Sequence, residues 1–473
     1  MNIVMRLFRR MPLGTGVFVV VALGTAGIPV AASAETATAP VQVFAPGALH
    51  FSQLDNGLRI VVKEDHSAPV VAVNVVIRAG TRCETAQNNG IAHFLEHMIF
   101  RAARGGGEDS LAGPIEAVGG VVNGGTLRDF TYFRAVTAPP DLPLALSALA
   151  RALLHPAFSN QAVFAERVVV LSELRQVADD PEAAAWARAF ALAYGDHPYA
   201  LPIGGTEQSL VRINADLLAD FHRRWYVPDN ASLVIVGDIN PAVARDAAAS
   251  AFGAWAATGA THPAPSPPPP APQLPRTHVE TRELSQATVL MAFRAPGISA
   301  PREVCAMDLL LTILSEGYTA RLKRALVETG IADEVSADFL TQEMPGLFAI
   351  RATCAPQRLA QARRALAGEI LRLRREPVTD GEFAKAQRRL AYSYVFANET
   401  VEDQAATLGF YEAIATYEFA VAYLDQVRSL TAAEVLAAAR KHLDPERAVW
   451  VAIAPSVAPA DTPEVVRVQG ADR

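Results

Sequence analysis

The chain has 473 residues, of which 51% are apolar and 19% charged, a balance that excludes intrinsic disorder. That length exceeds one compact core and predicts two to four domains. Its 42 Lys and Arg against 49 Asp and Glu give a net charge of −7, which argues against a basic nucleic-acid-binding surface as the main business.

At the N-terminus, Arg6, Arg9 and Arg10 precede an apolar stretch from Val17 to Val30, followed by Ala32-Ser33-Ala34. A basic start, an apolar middle and a small-x-small end predict a secretory signal peptide over residues 1–34. The competing reading is an uncleaved anchor, because the stretch is nearly long enough to span a bilayer. Gly14, Gly16, Gly24 and Gly27 together with the A-S-A site favour cleavage. Loss of three arginines takes the charge to −7 − 3 = −10. No later segment is apolar over a spanning length, so the expected product is periplasmic and has no stable membrane insertion.

Next, Leu58 to Lys63 and Val70 to Ala79, separated by Glu64-Asp65-His66, read as a hairpin. Ala72, Asn74 and Val76 alternate with Val71, Val73, Val75 and Ile77, which suits a sheet with one well-buried face. The segment Gly90-Ile-Ala-His93-Phe-Leu-Glu96-His97-Met-Ile-Phe100 then has helical apolar spacing after a turn-like Gln87-Asn-Asn. On a helix, His93 and His97 lie about 40° apart on one face, a spacing at which two imidazoles can grip one metal ion. Glu96 sits one position before the second imidazole, where its carboxylate can reach a water on that ion. This is the H-x-x-E-H pattern, the inversion of the more familiar H-E-x-x-H.

A hydrolytic zinc site needs a third protein ligand and an open position. The helical segment from Phe164 to Arg175 carries Glu166 and Glu173, seven residues apart and so on one face. Either can be the third ligand, with the other orienting a ligand from behind. Alternatively, both are solvated partners of Arg167 or Arg175.

The Pro-rich run between His262 and Pro275 cannot join a helix interior or a sheet. It marks an extended linker, residues 258–276, between two similar halves, 41–257 and 277–457, with a tail over 458–473. Each half opens with a strand, Val70 to Ala79 and Ala287 to Arg294, then a polar loop and a helix. Each also closes alike: helix Ala215 to Trp225 and strand Ser232 to Gly237 in the first, Thr431 to His442 and Ala448 to Ala454 in the second. An internal duplication of one unit explains the match. The predicted class is α+β: two homologous domains, each a mostly antiparallel sheet packed with helices. Cys83, Cys305 and Cys354 lack the spacing of a zinc thiolate site. A Cys305–Cys354 disulfide is allowed in an oxidising compartment, but small buried residues are the preferred reading.

Taken together, these motifs resemble the pitrilysin/insulinase family of inverted-motif zinc peptidases, in particular the two-domain bacterial type similar to mitochondrial processing peptidase. The resemblance spans Leu54-Asp-Asn-Gly-Leu58, the H-x-x-E-H segment, Asn123-Gly-Gly-Thr126 running into Asp129-Phe-Thr131-Tyr132, and Glu166 to Leu174. It continues through His197-Pro-Tyr199 with Gly204-Gly205, and Tyr226-Val-Pro-Asp-Asn230 leading to Asp238. It implies one Zn2+ per chain held by His93, His97 and Glu173, with Glu96 as general base and Glu166 as a supporting site glutamate. It also implies that peptides are bound as an added strand at Asn123 and contacted by Tyr132. The implied activity is metal-assisted hydrolysis of unfolded peptides in a chamber.

The family pattern also has an Arg and a Tyr in the second domain that reach the substrate carbonyl. Here Val327 and Asp333 stand at those positions, and neither donates to an oxyanion. Tyr318, Arg321 and Arg324 are candidate substitutes. The resemblance therefore implies a homologous partner subunit that supplies the pair in a heterodimer, with a homodimer as the other arrangement. A non-catalytic scaffold subunit is the competing reading.

Overall fold

The structure, a computed structural model, describes residues 43–104, 111–257, 271 and 276–455. The expected signal segment 1–34, all but two residues of the Pro-rich linker and the tail 458–473 lie outside the described residues.

In the first half the strands are β1 (Leu49–Gln53), β2 (Arg59–Glu64), β3 (Val71–Ile77), β4 (Val121–Thr126), β5 (Thr131–Thr137) and β6 (Ala231–Gly237). Its helices are α1 (Ile91–Arg104), α2 (Ala112–Ala117), α3 (Leu142–Leu154), α4 (Asn160–Asp179), α5 (Pro181–Tyr194), α6 (Glu207–Arg212), α7 (Ala215–Trp225) and α8 (Pro241–Phe252). The second half has β7 (Arg276–Arg282), β8 (Ala287–Arg294), β9 (Glu334–Leu340), β10 (Leu347–Cys354) and β11 (Val449–Pro455). Its helices are α9 (Pro301–Ser315), α10 (Leu359–Arg375), α11 (Asp380–Phe396), α12 (Val401–Ile414), α13 (Glu418–Ser429) and α14 (Ala432–His442). Local chemistry starts many of them: Ser159, Asp180, Asn214, Thr379, Thr400 and Thr431 each accept a backbone N–H of the helix they precede.

The first sheet has the order β1-β2-β6-β3-β5-β4 and the second β7-β11-β8-β10-β9. Without β1 the two are the same arrangement. In each, the last strand enters between the first two, parallel to one and antiparallel to the other. The remaining neighbours are antiparallel. The fold is therefore two duplicated α+β units, as expected.

Two local expectations are corrected. β2 and β3 do not form a hairpin, because β6 lies between them. β6 is buried at every residue and has the composition of a central strand, so it is paired on both edges. β3 is likewise buried at every position rather than on one face. The outer face of the first sheet packs against its own helices, with Ile77, Phe94, Leu95, Phe133, Leu149 and Phe252 in one core. The inner face is covered by α12, a helix of the second half that packs on β3 and β6. Reciprocally, α5 of the first half packs on β8 and β11 of the second sheet. The halves thus exchange helices.

The exchange is specific. Gly409 of α12 sits so close to β3 that a Cβ there would lie 2.2 Å from Asn74 Nδ2, and Asn74 Nδ2 donates to Ala405 O at 3.1 Å. Glu412, fully buried on α12, receives Arg59 Nε and Nη2 at 2.9 and 3.2 Å, Ser232 Oγ at 3.2 Å and the Tyr417 amide at 2.8 Å. Arg78 donates to the carbonyl of Glu412 at 2.7 Å, near the C-terminus of α12. Arg294, its counterpart at the end of β8, donates to Ala193 O near the C-terminus of α5 at 3.3 Å, so each exchanged helix ends on an arginine that suits its dipole.

α9, the counterpart of α1, carries no metal-binding set among the described residues. Its Asp308 is buried and accepts the Tyr423 hydroxyl at 2.7 Å. Cys305 and Cys354 are buried free thiols and Cys83 is a partly buried one.

Two predictions follow from this packing. Glu412→Gln leaves Arg59 and Arg78 without their buried counter-charge and is expected to cost about 3 kcal/mol, read from urea unfolding; an unchanged midpoint would contradict the locking role. Burial pushes the Asp308 carboxyl up to about 7, whereas an unfolded Asp ionises near pH 4. The folded state binds the extra proton between those values, so stability falls as pH rises from about 4 to about 7 and levels off above. Asp308→Asn removes that loss while keeping an acceptor for Tyr423. Its melting temperature relative to wild type is expected to be higher at pH 8 than at pH 4.5, and a difference that does not change with pH would refute the assignment.

Candidate metal centre

Gly90, at φ +89°, turns the chain into α1. A Cβ at Gly90 would lie 2.8 Å from the Cα of Gly205, so the turn depends on two glycines meeting. Glu84 then caps the helix from outside. Its buried carboxylate accepts the amides of Gly90 and Ala92, both at 2.9 Å, and Asn89 Nδ2 at 2.7 Å. Burial raises Glu84 to about 7 against the pull of these donors. Sequence reading missed this residue, a lone glutamate between Cys83 and Thr85 with no periodic or spacing signal.

On α1, His93 and His97 lie side by side, with ring centroids 4.6 Å apart. α4 passes beside them. Glu173 Oε2 lies 3.2 Å from His97 Nε2 and 4.0 Å from His93 Nε2. Glu166, nearly fully buried, meets the other nitrogen of His97, with Oε1 3.0 Å from Nδ1. The two glutamates that spacing could not separate thus take different places. Glu173 faces the open side of both imidazoles, and Glu166 stands behind one of them. Arg167 and Arg175, the alternative partners, are engaged elsewhere, with Leu210 O and Ile213 O and with Glu207 respectively.

One ligand atom from each of His93, His97 and Glu173 falls within 4.8 Å of the others. Ligands about 2.0–2.1 Å from a tetrahedral zinc stand roughly 3.3 Å from one another, and the separations of 3.2 and 4.0 Å bracket that value. Two imidazoles and one carboxylate with an open side form a hydrolytic zinc donor set, and a carboxylate on the far nitrogen of a ligand histidine fixes its orientation. His93 Nδ1 is buried with no hydrogen-bond partner among the described residues. Burial and then the neighbouring His97 lower His93 to about 4, which keeps it in the neutral form that ligates metal. Burial opposes charge on His97 too, but its contacts with Glu166 and Glu173 prevail and raise it to about 9. The residues fit zinc.

Glu96 projects beside this cluster. It is buried, and burial raises it to about 7 while a hydrogen bond from Thr126 pulls the other way. A carboxylate near 7 is matched to proton transfer at neutral pH.

Asn123 lies on β4, the last strand of its sheet, which has an unpaired edge among the described residues. Tyr132 corrects an expectation. It is 2% exposed and packs with Phe130 on the inner face of the sheet, under Gly125. It supports the strand and offers no surface to a peptide.

In the second half, Val327 ends a π-helical turn (Lys323–Val327) and packs on the core. Asp333 is exposed and accepts Gln286 Nε2 at 3.0 Å. Arg321 is buried and holds Glu382 through two hydrogen bonds of 2.7 Å. Arg324 is exposed, as is Tyr318, whose ring lies 5.8 Å from Lys323 Nζ. None of these groups is joined to the α1 cluster by an observed hydrogen bond or ion pair among the described residues. The halves also meet at the turn between β4 and β5. Tyr199 donates to Asp129, Asp129 Oδ2 accepts the Glu343 amide at 3.2 Å, and Arg82 pairs with Glu343.

Residues 59–207 match the family model described as insulinase (peptidase family M16), and residues 212–390 match the one described as peptidase M16 inactive domain. An uncharacterized zinc protease of Mycobacterium tuberculosis is 28% identical over 417 residues, 88% of this chain and 95% of that protein. The uncharacterized zinc protease YmxG of Bacillus subtilis is 26% identical over 359 residues, 75% of this chain and 85% of that one. Among solved structures, a protease from Helicobacter pylori superposes with a TM-score of 0.80 at 23% identity, covering 86% of this chain and 99% of that one. A putative M16-like peptidase from Alicyclobacillus acidocaldarius gives a TM-score of 0.78 at 20% identity, covering 86% and 98%. At such identities the structural likeness speaks for the fold alone. With its two halves matched in order by the two domain models of one family, the chain belongs to the peptidase M16 (insulinase) family.

Proposed function

We propose that this protein is an exported zinc metalloendopeptidase that hydrolyses unfolded peptides. The observation that carries the reading is the convergence of His93, His97 and Glu173 beside a buried Glu96. Zinc held by those three residues would polarise the scissile carbonyl and acidify the attacking water.

The chain's own groups do the rest. The free edge of β4, at Asn123, pairs with the peptide as an added strand. Glu96 accepts the proton of the attacking water and returns it to the leaving amine. Glu166 holds His97 by its far nitrogen, so that Nε2 stays turned towards Glu173. Proposed export rests on the basic, apolar and small-x-small segments of residues 1–34. No helix among the described residues is long and apolar enough to cross a membrane.

Among the described residues, no candidate oxyanion donor of the second half is joined to the cluster. Val327 is apolar, Asp333 is an acceptor, and Arg321 is committed to Glu382. This supports a homologous partner subunit, whose Arg and Tyr complete the site in a heterodimer.

Replacing Glu96 by Gln tests the reading in protein purified with its copurifying subunits. Zinc content is expected to stay at the wild-type level while hydrolysis of an unfolded polypeptide falls at least about 10²-fold. A Glu96→Gln protein that cleaves at the wild-type rate removes the proposal.

A further inference from the structure

We propose that Thr126 is the positioning residue for Glu96, fixing which carboxylate oxygen carries the proton; the inference deepens the peptidase reading and rests on it. Thr126 is the last residue of β4 and lies, with Val122 and Gly124, on the face turned towards α1. The Thr126 side chain is buried, and its hydroxyl donates to Glu96 Oε2 at 2.8 Å.

Among the described residues, the competing acceptor is Thr131 Oγ1, directly opposite in the β4–β5 register and 3.3 Å away. Thr131 is itself a donor, giving its hydrogen to Ala79 O at 2.8 Å. A hydroxyl has a single hydrogen, and an ionised carboxylate is a stronger acceptor than a neutral hydroxyl. The hydrogen of Thr126 therefore goes to Glu96, and Thr131 buttresses it from behind.

This bond persists through the reaction. Oε2 accepts from Thr126 whether Glu96 is ionised or protonated, so the transferred proton resides on Oε1. The O–H bond of the attacking water breaks as Oε1–H forms; then Oε1–H breaks as the leaving nitrogen gains its hydrogen. One oxygen both takes and returns the proton, and the carboxyl need not rotate between the two transfers. The same bond ties the strand whose free edge would hold the peptide to the helix that carries the base. The scissile bond is thereby registered against Glu96 by a contact outside the metal cluster.

The test compares Thr126→Val, which removes the hydroxyl at nearly constant shape, with Thr126→Ser, which keeps it. In Thr126→Val, zinc content and melting temperature are expected to match wild type and KM to stay within about twofold. In the same variant kcat is expected to fall about 10–100-fold, the range of a misplaced general base. Thr126→Ser is expected to regain most of the rate, which a packing role would not require. A readout free of activity accompanies this. Crystal structures without metal are expected to show the Glu96 carboxylate turned away or in two rotamers in Thr126→Val, and in one rotamer in wild type and Thr126→Ser. Wild-type kcat in Thr126→Val, or an unmoved Glu96, overturns the proposal. If wild type cleaves nothing, the peptidase reading fails, while the Glu96 rotamer still decides whether Thr126 positions it.

Discussion

Each half of this protein builds a sheet whose inner face it does not cover alone, and the exchange of α5 and α12 covers both. Central strands such as β3 and β6, apolar on both sides, cannot face water over either surface. α12, buried along nearly its whole length, answers that need for the first sheet, as α5 does for the second. The exchange also decides where charge can be buried. Glu412 tolerates complete burial only because Arg59, Ser232 and the Tyr417 amide converge on it. The Arg82–Glu343 pair and the bond from the Glu343 amide to Asp129 add to the junction between the halves.

Inside the first half, the cluster shows how environment divides labour among chemically similar groups. Two histidines one helical turn apart take opposite protonation preferences, because burial and the neighbouring imidazole prevail at His93 while hydrogen bonds with two carboxylates prevail over burial at His97. Three glutamates also differ. Glu173, its side chain 44% exposed, faces the imidazoles; Glu166 is buried behind His97; and burial lifts Glu96 to about 7. Burial and hydrogen-bond partners, more than residue type, set these roles.

Much of this was legible in the sequence where the signal was periodic. Helical spacing alone placed His93 and His97 on one face and Glu166 and Glu173 on another. The duplication showed in the matching closing segments, which became α7 with β6 and α14 with β11. Other features depend on which distant segments meet, and these were not legible. The short turn at Glu64-Asp65-His66 suggested a hairpin, but β6 arrives from some 170 residues away to separate the strands. Nothing in the spacing of Glu166 and Glu173 tells which nitrogen of His97 each will meet. Glu84, Thr126 and Glu412 are single polar residues whose partners come from other elements or the next turn, so no local pattern marks them. Tyr132, expected to contact the peptide, lies on the buried inner side of β5, and the resemblance does not say which face α12 covers.

The central claim is that His93, His97 and Glu173 of this chain form a zinc site unaided. Its most direct test is the zinc content of the purified, folded chain, with metal supplied and no partner present. The account predicts about one zinc per chain, lost when His93 and His97 are both replaced by alanine. Folded wild-type protein that binds no zinc under those conditions would contradict it.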